Sequence, residues 1–340
     1  MQITDPLIEN PTFSADLLQK IRALVSNDMD AISDFIYREL SSNVPLTREI
    51  TDHIFKTKGK QLRPLLAILS AHAFADKNAL SEKHHALAVV IEFVHTATLL
   101  HDDVVDHSTL RRGKKTANAI WGNAASVLVG DFLYSRAFQI LSRNHDPRVM
   151  QVLSETTNAI AEGEVQQLMN QRDAYLSEEN YFRVITQKTA RLFSAAAEMG
   201  AILENAGDAA EKAMATYGLH LGLAFQIIDD LLDYETSSDI TGKNIGDDLA
   251  EGKATLPLIY AMQKTSEKNA ALIRDAIKNS DAAQLPFILK ILKETDAFFA
   301  TREKAREQLL IAEKSLALAP ESQYRDALKG LLVFAVERSC

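Results

Sequence analysis

The sequence predicts an all-α fold, a large bundle of long helices, from three features. The 13 glycines and 8 prolines among 340 residues are about half the usual share. Apolar residues recur with helical spacing almost from end to end, and no strand-type alternation of useful length interrupts them. Hydrophobic residues make up 46% of the chain, which is ample for a sizeable core. A long chain with few turn-forming residues has few turns, which disfavours sandwiches, barrels and repeated hairpins.

The periodic segments are interpreted as one domain over residues 1–340, in which residues 1–50 carry no specific motif. Helices are expected near 14–42, 46–57, 62–77, 81–106, 117–143, 147–171, 178–204, 208–235, 254–265, 267–279, 282–297, 299–318 and 321–338. Ser81 and Ser177 precede acidic residues, and Asp146 precedes Pro147, which are patterns typical of helix starts. The segments 107–116 and 236–253 are polar and charged, and they are expected to be loops.

Charge and cysteine content exclude several classes of protein. The net charge is −9 and there is no basic block, which disfavours a nucleic-acid partner. Cys340 is the only cysteine, so disulfides within the chain and cysteine-based zinc sites are excluded. No stretch approaches the roughly 18–20 apolar residues of a membrane span, and the acidic N-terminus does not resemble a secretory signal. We therefore expect a cytoplasmic protein without a membrane span.

One pattern of aspartates occurs twice, as DDVVD at 102–106 and as DDLLD at 229–233. Each cluster ends a long apolar helix, and its first and last carboxylates share one face at about 100° per residue. Acids are disfavoured at a helix C-terminus and repel each other one turn apart, so cations are needed beside them. Oxygen ligands alone are typical of Mg²⁺, which combines one or two carboxylates with substrate phosphates. The alternative is a pair of solvated acidic helix ends.

The helix behind each cluster also carries polar or small residues on the same face. Glu92 and His95 share the face of the first cluster on a helix that is otherwise apolar and therefore buried. This polar stripe must face a cavity or a polar partner. Gly218, Gly222 and Gln226 share the face of the second cluster, and small residues one turn apart leave room for something to approach.

Basic residues accompany the aspartates, after each cluster and at the start of the helix at 62–77. They are Arg111, Arg112, Lys114, Lys115, Lys243, Lys253, Lys60 and Arg63. Arginine binds phosphate with a bidentate fork and lysine binds it as a point charge. Metal-binding acids beside these cations suit a diphosphate that metal ions bridge, although each loop alone is also typical of a solvated surface. The chain has no P-loop and no dinucleotide-binding glycine motif.

Six segments together resemble the trans-polyprenyl diphosphate synthase family, and the bacterial octaprenyl enzymes within it most closely. They are GKQLRP (59–64), EFVHTATLLHDDVVD (92–106), RRG (111–113), QKTAR (187–191), FQIIDDLLD (225–233) and GKNIGDDLAEGKATLPL (242–258). The resemblance covers roughly residues 53–338. It implies the isoprenoid synthase fold, in which long antiparallel helices surround a central cavity, and it implies a homodimer.

The resemblance also implies an activity, the transfer of an allylic prenyl group to isopentenyl diphosphate. Farnesyl diphosphate is the expected primer, and a polyprenyl diphosphate of about C40 for quinone side chains is the expected product. About three Mg²⁺ ions per active site would act with the substrate diphosphates. Asp102 and Asp106, assisted by Asp103, would bind Mg²⁺ on the allylic diphosphate, and Asp229 and Asp233 would bind a further ion.

The remaining site residues follow from the same resemblance. Isopentenyl diphosphate would be held by Lys60, Arg63, His95 and Arg112. The allylic diphosphate would contact Arg111, Lys188, Gln226 and Lys243. Thr189 would offer a negative dipole to the developing cation, so the catalytic group would comprise Asp102, Asp106, Lys188, Thr189 and Asp229. A hydrogen-bonded core histidine is the alternative reading of His95.

Small residues before the first aspartate cluster predict a long product. In the family, bulky aromatics there block elongation, whereas this chain has Ala97 and Thr98. The tunnel is therefore expected to continue to a floor formed by residues of the next helices, with ordinary core packing as the alternative for each. The candidates are Leu128, Phe132, Ile140 and Val152.

The sequence leaves other functions open. A terpene cyclase or head-to-head synthase shares the fold, but cyclases generally carry a different second metal motif. A non-catalytic subunit that binds prenyl diphosphate tends to lose acids from one cluster, and both clusters are intact here. A shorter-chain synthase (C15–C20) and a helical scaffold with divalent-ion sites are the remaining alternatives.

Overall fold

The structure is a computed structural model that describes residues 11–56, 59–76, 80–144, 146–235 and 245–337. The prediction of an all-α fold is confirmed. The helices are α1 (Pro11–Ala23), α2 (Ser26–Glu39), α3 (Pro45–Lys56), α4 (Leu62–Phe74), α5 (Glu82–Val105), α6 (Ala117–Trp121), α7 (Asn123–Asn144), α8 (Pro147–Asn170), α9 (Glu178–Ile185), α10 (Arg191–Leu203), α11 (Asp208–Glu235), α12 (Asp247–Ala250), α13 (Leu256–Lys264), α14 (Glu267–Asn279), α15 (Leu285–Glu294), α16 (Ala297–Ser315) and α17 (Gln323–Glu337).

Three short elements join or interrupt these helices. A π-helical turn, Thr186–Ala190, lies between α9 and α10, and 3₁₀ turns occur at Ala282–Gln284 and Leu316–Leu318. Strands β1 (Leu110–Arg111) and β2 (Lys114–Lys115) form an antiparallel hairpin after α5. The single-domain assignment stays a prediction.

The helices that carry the aspartate clusters are central. Helix α5 packs against α4 and α7, and α11 packs against α10 and α16. Most side chains of α5 are buried, as expected for a helix that is apolar on nearly all sides. None of the helices in the described ranges is long and apolar enough to span a membrane.

The glycines on α11 serve helix packing. A Cβ added at Gly218 would lie 2.3 Å from the Phe193 carbonyl oxygen, and one at Gly222 would lie 2.7 Å from Ala190 Cα. Real Cβ atoms essentially never approach so closely. The space beside Gly218 and Gly222 is therefore filled by the backbone at the start of α10 and in the π turn.

Two predicted helices divide at short breaks, and a third, 178–204, is interrupted by the π turn between α9 and α10. The segment 14–42 divides into α1 and α2 around Val25, whose ψ of 30° departs from the helical value. The segment 117–143 divides into α6 and α7 at Gly122, which has a φ of +85° that L-residues rarely adopt. Apolar spacing continues through both breaks, which is why periodicity alone does not locate them.

The predicted caps are largely confirmed. Asp146 accepts a hydrogen bond of 2.8 Å from the Arg148 backbone, and Ser177 accepts one of 3.2 Å from the Asn180 backbone. Ser81 also begins its helix, but its partner in the capping box is His84. The predicted loop at 107–116 contains the β1–β2 hairpin. Its turn residues, Arg112 and Gly113, both have positive φ, as a two-residue type I′ turn requires.

Candidate active site

Both aspartate clusters line one cavity of about 270 Å³. Asp102 and Asp106 reach it from the C-terminal end of α5, and Asp229 and Asp233 reach it from the end of α11. The other predicted residues on its wall are Arg111, Arg112, Lys188, Thr189 and Gln226. The structure therefore brings together most of the residues predicted for the metal ions and the allylic diphosphate. Lys243 lies outside the described residues.

The first cluster is bordered by two lysines. Lys188 Nζ lies 3.6 Å from Asp102 Oδ1, and Lys253 Nζ lies 3.4 Å from Asp106 Oδ2. Lys253 also pairs with Glu251. Burial lowers the pKa of Lys253, but the surrounding carboxylates, including Asp106 and Glu251, outweigh burial and raise this pKa above its ordinary value. Lys253 is therefore charged at neutral pH.

The middle residue of the first cluster faces elsewhere. Asp103 is buried, and its Oδ1 accepts a hydrogen bond of 2.9 Å from Arg111 Nε and forms an ion pair of 2.8 Å with Arg111 Nη2. Burial raises the pKa of Asp103, and the bond from Arg111 opposes this rise. Asp103 is not among the cavity residues. This geometry makes Asp103 a support for Arg111, and the predicted direct metal contact of Asp103 stays a prediction.

The second cluster is held by the chain that follows the 236–244 segment. The Asp248 backbone N–H donates to Asp233 Oδ2 at 3.2 Å, and the Gly246 N–H donates to the Asp233 carbonyl at 2.9 Å. The middle residue, Asp230, is buried and accepts hydrogen bonds from Tyr181 and Gln226. Burial raises the pKa of Asp230 well above its ordinary value, and these two hydrogen bonds oppose the rise.

The π turn presents Lys188 and Thr189 to the cavity. Turns of this kind are rare and occur frequently at functional sites. Glycines let two helices approach it closely: a Cβ at Gly163 of α8 would lie 2.7 Å from the Lys188 backbone nitrogen, and Gly222 packs against Ala190. The turn is therefore fixed on two sides by helix backbone.

A second group of predicted residues lies beside the cavity. Arg63 Nη1 and His95 Nε2 are 3.2 Å apart, and the Arg63 guanidinium lies 4.3 Å from the centre of the Phe193 ring. Lys60 Nζ lies 5.3 Å from the centre of the Phe334 ring. A Cβ at Gly59 would lie 2.2 Å from Arg112 Nη1, so the absence of a side chain lets the guanidinium rest there.

Burial controls the charges in this basic group. It lowers the pKa of Arg63 to about 10, with Glu92 opposing the shift. Burial also raises the pKa of Glu92 to about 7, against the attraction of the nearby arginines. The pKa of His95 is held well below its ordinary value by burial and by Arg63, so the imidazole is neutral and can accept from Arg63. His95 is therefore a half-buried, hydrogen-bonded histidine that contacts Arg63, and its predicted role in holding isopentenyl diphosphate stays a prediction.

The donor set fits a hard divalent ion such as Mg²⁺. Carboxylates from two helices face one cavity, and arginine and lysine side chains stand beside them. Within the described ranges, no three of the acidic, His or Cys side chains are arranged to hold an ion alone. Mg²⁺ needs no such cage, because it is usually bound by one or two carboxylates plus substrate phosphates and water. Asp102, Asp106, Asp229 and Asp233 line the cavity and would hold such ions.

Comparison with known proteins agrees with this arrangement. The family model described as polyprenyl synthetase matches residues 44–292. The chain belongs to the polyprenyl synthetase family. Among its relatives in the family, the octaprenyl diphosphate synthase of Escherichia coli is 47% identical over 94% of this chain and 99% of its own length. The octaprenyl diphosphate synthase of Haemophilus influenzae is 44% identical over 95% of this chain and 97% of its own.

Solved structures of polyprenyl synthases share the fold. A decaprenyl diphosphate synthase from Rhodobacter capsulatus has a TM-score of 0.89 and 40% identity, covering 95% of this chain and 99% of its own. A polyprenyl synthase from Caulobacter crescentus, solved with calcium and isoprenyl diphosphate, has the same TM-score and identity and covers 95% and 98%. The predicted family and isoprenoid synthase fold are therefore confirmed.

Sequence reasoning missed several polar residues of this polyprenyl synthetase site. Glu164 Oε2 accepts from Lys188 Nζ at 2.7 Å, and Tyr181 contacts Asp230 across 49 positions of sequence. Gln167, Asn170 and Gln171 also line the cavity. Each of these lies on or next to an amphipathic helix, where a single polar residue has the spacing of an ordinary solvated face. The aspartates were recognisable because their motif occurs twice in the sequence, whereas none of these residues belongs to a repeated motif.

The predicted tunnel residues have different environments. Ala97 is fully buried, and Thr98 is partly buried and donates to the His95 carbonyl at 2.8 Å. Phe132 packs against the core, and so does Val152, while Ile140 is buried in it. The side chain of Leu128 is an exception, because the residue is 67% exposed on α7. Leu128 therefore lies on the surface of its own chain, and its predicted role in the tunnel stays a prediction.

Proposed function

We propose that this protein is a Mg²⁺-dependent prenyltransferase that elongates an allylic diphosphate, farnesyl diphosphate, with isopentenyl diphosphate units. The proposed product is a polyprenyl diphosphate near C40, the octaprenyl length named for two of its relatives, for a quinone side chain. The observation that carries the proposal is that both aspartate clusters line one cavity together with Lys188. Membership of the polyprenyl synthetase family supports it.

The chemistry explains the residue types. The allylic C–O bond breaks, diphosphate leaves with the electron pair, and Mg²⁺ supplies charge stabilisation for it when bound. Asp102, Asp106, Asp229 and Asp233 would hold the ions, about three per site, and Lys188 and Arg111 would contact the departing diphosphate. The cations supplied by the chain are aimed at the place where negative charge develops, which is the general basis of such catalysis.

The second substrate is assigned to the basic group beside the cavity. Arg63, Arg112 and Lys60 bind the diphosphate of isopentenyl diphosphate, and neutral His95 orients Arg63 through their contact of 3.2 Å. The isopentenyl double bond attacks the allylic cation, a new C–C bond forms, and a proton is lost to the departing diphosphate. This route requires no dedicated carboxylate or histidine base. Thr189 and Gln226 line the cavity where the cation forms.

We also propose a cytoplasmic homodimer. The surface of α8 exposes Ala161, Val165, Leu168 and Met169, spaced so that they form one stripe along the helix. The last three are 59%, 57% and 74% exposed, and Leu128 is similarly exposed on α7. Contiguous exposed apolar residues are typical of protein–protein contacts. A second copy of the chain is the proposed partner for these faces.

The test is turnover with farnesyl and labelled isopentenyl diphosphates, with and without Mg²⁺, followed by sizing of the products. The wild-type enzyme is expected to require Mg²⁺ and to end near C40. The variants D102N and D229N are each expected to lose at least about a hundredfold in kcat, since each removes a ligand for charge stabilisation. D326N, on an exposed side chain of α17, is the control. Metal-independent turnover, or none, would overturn the proposed reaction, and an end point at C15 or C20 would overturn the long product.

A further inference from the structure

A chain of three hydrogen bonds runs along the wall of the cavity, from Tyr181 to Thr189. The Tyr181 hydroxyl donates to Asp230 Oδ2 at 2.6 Å, and Gln226 Nε2 donates to Asp230 Oδ1 at 2.7 Å. The Thr189 hydroxyl then donates to Gln226 Oε1 at 2.9 Å. Tyr181 and Asp230 are buried, with exposures of 4% and 6%, so water does not compete freely for these contacts.

The order of donors in this chain follows from the chemistry of the groups. The Tyr181 hydroxyl faces Asp230 Oδ2, and Asp230 Oδ1 accepts from the Gln226 amide nitrogen, which can only donate. Gln226 must then turn its amide nitrogen to Asp230, and its carbonyl oxygen faces Thr189. A carbonyl oxygen cannot donate a hydrogen bond, so the Thr189 hydroxyl donates its single proton to Gln226 Oε1. Thr189 Oγ1 therefore presents its lone pairs, and not its proton, to the cavity.

We infer that Tyr181 is a positioning residue, which acts through Asp230 and Gln226 to set the direction of the Thr189 hydroxyl. The negative end of that hydroxyl dipole is thereby kept towards the allylic cation. This inference rests on the proposed function. A hydroxyl free to rotate would be turned by nearby anions so that its proton faces the cavity. Fixed dipoles stabilise a transition state because they need no reorientation during the reaction.

The inference assigns a separate role to the middle acid of the second cluster. Asp229, Asp230 and Asp233 all line the cavity, but both side-chain oxygens of Asp230 accept hydrogen bonds from donors within the protein, and only Asp229 and Asp233 are proposed metal ligands. Tyr181 supplies one of these two donors from α9, the helix that leads into the π turn. The same short stretch of chain therefore carries both Thr189 and the residue that orients it.

The test is a double-mutant cycle of Y181F and T189V, read as kcat and KM for both substrates. Y181F removes only the hydroxyl, and T189V keeps the shape of threonine. Y181F alone is expected to lower kcat about tenfold, with KM for each substrate changing less than about twofold, since the lost interaction acts on the transition state. In the T189V background, Y181F is expected to lower kcat less than about twofold further, because the group through which it acts is gone.

The matched control is Y217F. The Tyr217 hydroxyl is also fully buried and donates one hydrogen bond, of 2.7 Å to the Leu328 carbonyl, but among the residues that the structure describes it belongs to no chain of hydrogen bonds that reaches Thr189. Y217F is expected to lose similar thermal stability and to retain wild-type kcat. Equal losses of kcat in Y181F and Y217F, or full multiplication of the Y181F and T189V effects, would overturn the inference and leave the proposed reaction intact.

A crystal structure of Y181F gives a readout that does not depend on turnover. The Gln226 amide is expected to move so that the distance from its Oε1 to Thr189 Oγ1 exceeds the roughly 3.5 Å limit of a hydrogen bond. Unchanged contacts of Gln226 with Asp230 and Thr189 would overturn the inference. An inactive wild-type enzyme would overturn the proposed function. The crystal structure of Y181F would still test whether Tyr181 positions Gln226 and Thr189.

Discussion

The ammonium group of Lys188 lies 2.7 Å from the carboxylate of Glu164 and is thereby held beside the first aspartate cluster. It stands 3.6 Å from Asp102 on its other side. Burial and the neighbouring Asp102 raise the pKa of Glu164 to about 7, and Lys188 opposes this rise. Lys188 thus contacts both Asp102, which is proposed to bind metal, and Glu164, which is not.

The shared lysine predicts a metal phenotype for Glu164. In E164Q, Lys188 loses its closest anionic partner and is expected to move to Asp102, where it competes with Mg²⁺. The Mg²⁺ concentration for half-maximal activity is expected to rise about three- to tenfold, as for loss of one modest ion pair. The measurement is initial rate against Mg²⁺ concentration. E162Q, an exposed neighbour on the same helix, is the control, and identical curves for E164Q and wild type would contradict the prediction.

Product length is expected to depend on Thr98. The T98F variant places an aromatic ring one turn before Asp102, where it should block the growing chain and shorten the product. Products are sized by chromatography after incubation with labelled isopentenyl diphosphate. T98S keeps the hydroxyl that bonds the His95 carbonyl and is expected to retain the wild-type product. An unchanged product from folded T98F would argue against Thr98 as part of the tunnel.

Glu92 predicts a pH dependence of stability. Its pKa rises from the ordinary 4.5 to about 7 on folding, mainly because of burial. The folded state therefore binds this proton more tightly, and the resulting stabilisation is complete below about pH 4.5 and is lost as pH rises through 7. Relative to E92Q, which cannot titrate, wild type is expected to lose up to about 3 kcal/mol of unfolding free energy over this range. Urea unfolding of both proteins from pH 5 to 8 measures it; a difference that stays constant with pH would refute it.

The proposed dimer is expected to depend on the exposed stripe of α8. L168E places a charge in an apolar contact and should give a monomer by light scattering at concentrations where wild type is a dimer. F287E changes an apolar residue that is 61% exposed on α15, outside the proposed interface, and is expected to remain dimeric. A dimeric L168E protein, or a monomeric wild type, would contradict this surface assignment.

The sequence predicted the helices well because most of them bury a periodic apolar face. It did not locate the break at Gly122 or the π turn, since apolar spacing continues through both. In the site, Asp102 and Asp229 were recognisable because each belongs to a repeated motif. Glu164 and Tyr181 were not, because each acts through one contact with a residue far along the chain. The exposure of Leu128 was not predicted, because helical spacing does not say whether a neighbouring helix or a partner chain covers a face.

The length of the π turn limits which sequence changes the site tolerates. Such a turn holds one more residue than an α-helical turn, so deleting a residue within Thr186–Ala190 would restore a continuous helix from α9 to α10. The same deletion would rotate Lys188 and Thr189 by about 100° relative to one flanking helix. We therefore expect insertions and deletions within this turn to disrupt the active site more than substitutions do. The number of residues in the turn is as much a requirement of the site as their identity.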